Sequence, residues 1–204
     1  MKKTFFTFCL LVSFCCFSQT NWQRFKKQSF STKKWVIFHP FKTKKALIIS
    51  NEANRVSDSI AKTSLLDGDK NGGQVDAFRH AYWMARLRQE IGKNAAQSLG
   101  KAHEKDNYRT FKKKRLEEGT IPDKISSDMD LYNNEQGLKL TVKGSKSPKK
   151  GLIFKVINSI LGGNMKIIKK DNKKRFLTCD NKIILAKDLQ GKWENNKCLI
   201  QSNK

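Results

Sequence analysis

Between Val75 and Ile91 the residues Phe78, Ala81, Tyr82, Ala85 and Ile91 recur at helical spacing, and Gly92 closes the run. Only Gly92-Lys93-Asn94 separates it from a second helix reaching about Glu104, where Asn94 and Gln97 have the spacing of a capping box. So short a link turns the two helices antiparallel. Leu47, Ile49, Ala53, Val56 and Ile60 predict another amphipathic helix over 46–60, and Ser127 to Leu138 predicts a further one. Leu152 to Leu161 is an apolar helix closed by Gly162-Gly163, too short to span a bilayer. From Met165 the pattern turns strand-like, with Ile167-Ile168, Phe176-Leu177, Ile183-Ile184-Leu185 and Leu199-Ile200 between polar turns. The expected fold class is mainly α, a helical core domain with a small β-rich C-terminal appendage. Its divisions are a basic aromatic arm at 19–45, the helical core at 46–140, a linker and short apolar helix at 141–164, and a β-meander at 165–204. Within the core, the Lys-rich stretch 105–123 reads as a long exposed loop.

Residues 1–18 read as an export signal, with Lys2 and Lys3 leading an apolar run from Phe5 to Phe17 and small residues at Cys16 and Ser18. A lipoprotein anchor is the lesser alternative, because Phe14 and Cys15 do not offer the small residue such a site wants. The expected localisation is therefore exported: periplasmic, outer-surface or secreted. No transmembrane segment remains once the signal is removed. Of five cysteines, only Cys179 and Cys198 survive that cleavage, and in an oxidising compartment they form a natural disulfide.

Three histidines remain to weigh. His39 lies in the arm and is given no role. His80, in DAFRHAYW, stands four residues after Asp76, so the carboxylate shares its helix face and orients the imidazole. Arg79 is adjacent. His103 and Glu104 close the partner helix in GKAHE, and Asp130, Asn133, Asn134 and Gly137 share one face of the helix carrying MDLYNNEQG. Three helices can thus bring His80, His103 and Asp130 together, with side-chain tips within about 4 to 7 Å.

The strings DAFRHAYW, AHE and MDLYNN, in that order, resemble an uncharacterised bacterial domain found in exported proteins and at the ends of large secreted polypeptides. The resemblance covers roughly Asp67 to Leu140 and implies a mostly helical domain in which His80, His103, Glu104, Asp130 and Asn134 belong to one site. It brings no established reaction. Members often carry His at the position of Tyr132 and Asn at that of Met84, so any role of those positions is changed in this chain.

Two chemistries suit the set. In one, His80, His103 and Asp130 hold a divalent metal ion and its water, with Glu104 as general base. In the other, His80 is the base, oriented by Asp76, while Asn134 or Arg79 stabilises developing negative charge. A structural polar cluster is the plain alternative: Asp76 and His103 complement helix dipoles and Asp130 forms half of a capping box. Asp67-Gly68-Asp69-Lys70-Asn71-Gly72 matches the start of a calcium loop, but the twelfth position is Phe78, so a Gly-rich turn is the better reading.

Charge bounds the partners. The chain carries 42 Lys and Arg against 18 Asp and Glu, +24, and loss of Lys2 and Lys3 leaves +22. Such a surface attracts an anionic substrate, lipid or envelope polymer. Lys supplies 34 of the 42 and is spread along the chain, with no specific nucleic-acid motif. In the arm, Trp22, Phe25, Phe30, Trp35, Phe38 and Phe41 alternate with Lys, which suits either packing on the domain or a lipid or base surface. The expected function is a metal- or His-dependent hydrolase acting on an anionic substrate (phosphoester, lipid or envelope polymer), against a non-catalytic envelope or surface binding protein. Oligomeric state is not written in the sequence.

Overall fold

The computed structural model describes residues 23, 25, 26, 28–116, 121–145 and 148–204. The export-signal segment at 1–18 and the first residues of the arm lie outside them. The described residues form helices α1 (Phe30–Phe38), α2 (Pro40–Ile60), α3 (Gln74–Ile91), α4 (Lys93–Lys112), α5 (Lys124–Lys139) and α6 (Lys149–Leu161), then β1 (Lys166–Ile168), the short α7 (Ala186–Leu189) and β2 (Leu199–Gln201). The fold is mainly α, with one two-stranded antiparallel sheet in which Ile167 faces Ile200. No described helix is long and apolar enough to cross a membrane.

α3 is the axis around which the rest assembles, packed on by α2, α4, α5 and α6. Phe78, Tyr82, Met84 and Leu87 are wholly buried, and Ala77, Ala81 and Ala85 form a smooth strip at four-residue spacing. Along that strip α5 approaches to backbone contact. A Cβ placed on Gly137 would lie 2.2 Å from the Ala81 carbonyl oxygen and 2.6 Å from its Cα. Only glycine fits there. Thr141 Oγ1 then donates 2.8 Å to the Ala85 carbonyl.

The apolar helix α6 buries Leu152, Val156, Ile157 and Ile160 in the cluster that contains Phe78 and Tyr82. Under α2 and α3 lies a buried ionic group. Glu52 accepts from Tyr82 Oη at 2.8 Å, Arg86 Nε at 3.0 Å and Lys149 Nζ at 2.5 Å, tying three helices together.

The C-terminal segment is less regular than the predicted meander. Phe176, Leu177 and Ile183 make isolated bridges in place of strands, and α7 interrupts the run. Tight turns at Lys174 and Asn181, both at positive φ, cut the ladder into single bridges, and side chains of the helices hold the segment as well. Asn133 of α5 donates to the Lys166 carbonyl and accepts from its N–H, both at 2.9 Å, doing a strand's work with a side chain. Ser202 and Met165 are fully buried, and Gln74 Nε2 reaches the Ser202 carbonyl at 2.7 Å. The segment is fastened to the helices. Cys179 and Cys198 form the expected disulfide, across a separation of 19 residues. Its loss, by reduction or in Cys198→Ser, is expected to destabilise by about 3 kcal/mol. Thermal unfolding with and without reductant should show a lower Tm, and an unchanged Tm would refute it.

Other boundaries also differ from expectation. The arm is not irregular from Phe30 on: Ser29 caps α1 and accepts from the Thr32 N–H, and α2 begins at Pro40, pre-set for a first helical turn. The predicted loop at 105–123 is helical through Lys112. There the buried Asp106 carboxylate accepts from the N–H groups of Ser31 and Thr32, both at 3.2 Å, filling the N-terminus of α1 from another helix. Asn94 and Gln97 make no capping box: α4 starts directly on Gly92, and Gln97 donates to Glu135 at 3.1 Å. Asp123, not Ser127, caps α5, accepting from the Ser126 N–H at 2.8 Å.

Candidate functional site

Helical spacing places the site residues in pairs. On α3, Asp76 and His80 lie one turn apart, with Arg79 between them in sequence; on α5, Asp130 and Asn134 repeat that spacing. The contact of Gly137 with Ala81 draws the two faces together. The turn before α3 completes the frame: Gly72, at φ +82°, donates its N–H to Asp76 Oδ2 at 2.7 Å, while its carbonyl accepts from the Ile168 N–H at 2.7 Å. Upstream, Asp67 and Asp69 accept from backbone N–H groups of their own turn, and Lys170 Nζ meets Asp69 at 2.7 Å, so their carboxylates serve the turn.

At the centre, His80 Nε2 lies 3.3 Å from Asp130 Oδ1 and 3.6 Å from Asp76 Oδ1. On its far side Nδ1 is 3.3 Å from Asn134 Oδ1. Since that amide oxygen can only accept, Nδ1 carries the proton and Nε2 presents its lone pair to the two carboxylates. Burial holds the imidazole well below its usual pKa of 6.5, and the nearby charges of Arg79 and His103 push the same way. His80 is neutral. Arg79 Nη2 bridges Asp76 Oδ1 at 2.7 Å and His80 Nε2 at 3.2 Å, supplying one positive charge against two buried carboxylates.

Asp76, His80 and Asp130 each offer a ligand atom within 4.8 Å of the others, and all three are buried. One imidazole nitrogen and two carboxylate oxygens are a donor set suited to zinc, manganese or another borderline-hard divalent ion. The Asn134 contact is the kind of outer hydrogen bond that fixes a ligating histidine in one tautomer. The residues present fit a metal.

The centre opens into a cavity of about 580 Å³. Asp76, Arg79, His103 and Asp130 line it. A further wall comes from the C-terminal segment, with Ile168, Phe176 and Leu189 giving an apolar surface and Lys187 and Lys192 giving charge. Lys197 Nζ meets Asp123 at 2.5 Å and lies 3.9 Å over the Phe176 ring, so the wall is pinned to the start of α5.

The sequence-selected residues therefore gather, in altered roles. The buried cluster with His80 and Asp130 contains Asp76, which was expected to orient His80. His103 stands beside it, its ring centroid 6.2 Å from that of His80 and 5.8 Å from that of Trp83. Glu104 is buried behind the cavity, accepting from Ser127 Oγ at 2.7 Å and Asn107 Nδ2 at 3.2 Å. It anchors α4 to α5 and is not among the lining residues. Tyr132 is part-exposed with the Lys166 ammonium over its ring, and Met84 is fully buried in the core. Gly72, Asp123 and Lys197 were not foreseen, because nothing local in the sequence marks a backbone donor or a cross-chain ion pair.

No curated protein and no solved structure matches the chain. Residues 33–164, which carry every residue of the His80 centre, match the family described as Domain of unknown function (DUF6973), and the chain belongs to that family.

Proposed function

We propose that this is an exported hydrolase in which Asp76, His80 and Asp130 hold one divalent metal ion and the adjoining cavity takes an anionic ester, a phosphoester by preference. The observation that carries this reading is the convergence of three buried ligand atoms within 4.8 Å, two of whose residues, Asp76 and Asp130, line a cavity shared with Arg79, Lys187 and Lys192. Neutral His80 offers Nε2, Asn134 fixes its tautomer, and the carboxylates balance the ion's charge. A bound divalent ion would lower the pKa of its water, to about 7 for zinc, and would act as a Lewis acid for the ester oxygen. Arg79, Lys187 and Lys192 would hold the substrate's negative charge, and the apolar surface beside them would take the group it esterifies. His103, on the cavity side of the cluster, is the group placed to move a proton. The Cys179–Cys198 disulfide and the N-terminal apolar run favour an oxidising, extracytoplasmic compartment.

The second reading, a non-catalytic binding protein with a structural polar cluster, draws on one observation: the Arg79 guanidinium already bridges Asp76 and His80. Metal analysis and calorimetric titration with Zn²⁺ and Mn²⁺, paired with hydrolysis of bis(4-nitrophenyl) phosphate, separate the two. The hydrolase binds one equivalent of metal and loses it in Asp130→Asn with the fold intact. His103→Ala keeps the metal and lowers turnover by about 10²-fold or more. Folded wild-type protein that takes up no metal and turns over no ester would leave the binding reading in place.

A further inference from the structure

α1 and α2 join at His39, their shared cap, and the junction Ile37-Phe38-His39-Pro40-Phe41 forms an apolar tip. Ile37 is 65 % exposed, Phe38 69 % and Phe41 97 %, and Ile48, two turns further along the face of Phe41, is 52 % exposed. Apolar side chains so exposed and so close together mark an interaction surface. The tip is also held rigidly. Trp35, which is buried, donates Nε1 to the Ala95 carbonyl at 3.1 Å and to Ser98 Oγ at 2.9 Å, and stacks on His39 at 4.5 Å.

Charge says what meets it. Between Phe30 and Asn51 there are five lysines and no acidic residue. Lys45 pairs with Glu90 at 3.3 Å, whereas Lys33, Lys34, Lys42 and Lys44 make no ion pair among the described residues. We propose that this tip docks on the surface of an anionic lipid bilayer, with Ile37, Phe38 and Phe41 entering the headgroup region and the four lysines meeting lipid phosphates. Amphipathic elements with aromatic and aliphatic tips ringed by Lys bind in this way, through apolar burial plus attraction to the charged leaflet. A second copy is a poor occupant, because a two-fold contact would set the same lysines face to face. The tip neighbours the C-terminal end of α3 through Lys45 and Glu90, whereas Asp76 lies at its other end, about 20 Å away along the helix. Docking would therefore tether the protein and leave the cavity clear of the bilayer, so it stands apart from the hydrolase reading.

Co-sedimentation of the purified protein with vesicles of phosphatidylcholine, alone or mixed equally with phosphatidylglycerol, tests this. Wild-type protein is expected to partition at least tenfold more onto the anionic vesicles. Binding should fall at least tenfold in I37S/F38S/F41S. K33Q/K34Q/K42Q/K44Q should lose the preference for anionic lipid, and both variants should keep the wild-type Tm because the altered side chains are on the surface. Equal binding to both vesicles, or undiminished binding of the serine variant, overturns the proposal. So does a dimer in sedimentation velocity that the serine substitutions abolish, since a second copy would then cover the tip.

Discussion

Replacing Gly137 by alanine is expected to destabilise the protein by about 3 kcal/mol or more, the cost of forcing a methyl group into a packed contact that cannot yield. For a domain of this size that corresponds to a fall in Tm of roughly 6 to 12 °C. Intrinsic propensity predicts the opposite sign, since alanine in a helix interior is favoured over glycine by about 1 kcal/mol. Geometry decides. The new Cβ would lie 2.2 Å from a backbone carbonyl of α3, and backbone cannot rotate aside as a side chain can. α5 must then move outward, taking Asp130 and Asn134 from Asp76 and His80, so metal uptake should fall together with stability. Gly151→Ala is the control: a Cβ there meets nothing within 4 Å, and the substitution should be neutral or mildly stabilising. Thermal unfolding of both variants checks the pair, and a Gly137→Ala protein as stable as wild type would refute the close approach.

Glu52→Ala is expected to lose about 3 kcal/mol, because it strands the Arg86 guanidinium and the Tyr82 hydroxyl at a site from which water is largely excluded, while the exposed Lys149 ammonium returns to solvent. The acid limb of stability follows from the same contacts. Burial opposes the Glu52 charge, but hydrogen bonds from Lys149, Tyr82 and Arg86 outweigh it and hold the carboxyl below its usual 4.5. The unfolded chain therefore takes up this proton first as pH falls. The stabilisation is fully present above about pH 4.5 and is lost below it. Denaturant titrations across that range should show a shallower pH dependence in Glu52→Ala than in wild type, and parallel curves would rule out the assignment.

How much of this was legible in the sequence varies with the distance over which each feature is determined. The pairs Asp76–His80 and Asp130–Asn134 were visible because a four-residue interval on a helix fixes a shared face without any knowledge of the fold. Helices α3, α5 and α6 were visible for the same reason. The order of the ligands was not. Asp76 joins the set and His103 stands beside it because α5 is drawn onto the Ala81 strip, a meeting across 56 positions that no spacing rule encodes. The helical extension to Lys112 was hidden by its polarity, since a stretch such as Lys105-Asp106-Asn107 shows no apolar stripe. Its buried face is held by Asp106 capping a helix 75 residues earlier in the chain, an electrostatic reward that periodicity cannot register. The β-meander is cut short at its turns: Lys174 and Asn181 sit at positive φ, and only Lys166–Ile168 and Leu199–Gln201 pair as strands.

One wall of the cavity belongs to residues 168–197, beyond the span that matches the family. The Cys179–Cys198 crosslink ties this stretch to itself, and Asn133, Gln74 and the Gly72 carbonyl fasten it to the helices, on whose core Met165 and Ile167 pack. Insertions, deletions or substitutions in that stretch can reshape what fits against the centre without disturbing how the helices interlock. The His80 centre and the wall that faces its cavity thus come from separate stretches of chain, so the shape of the one can change while the helices keep the geometry of the other.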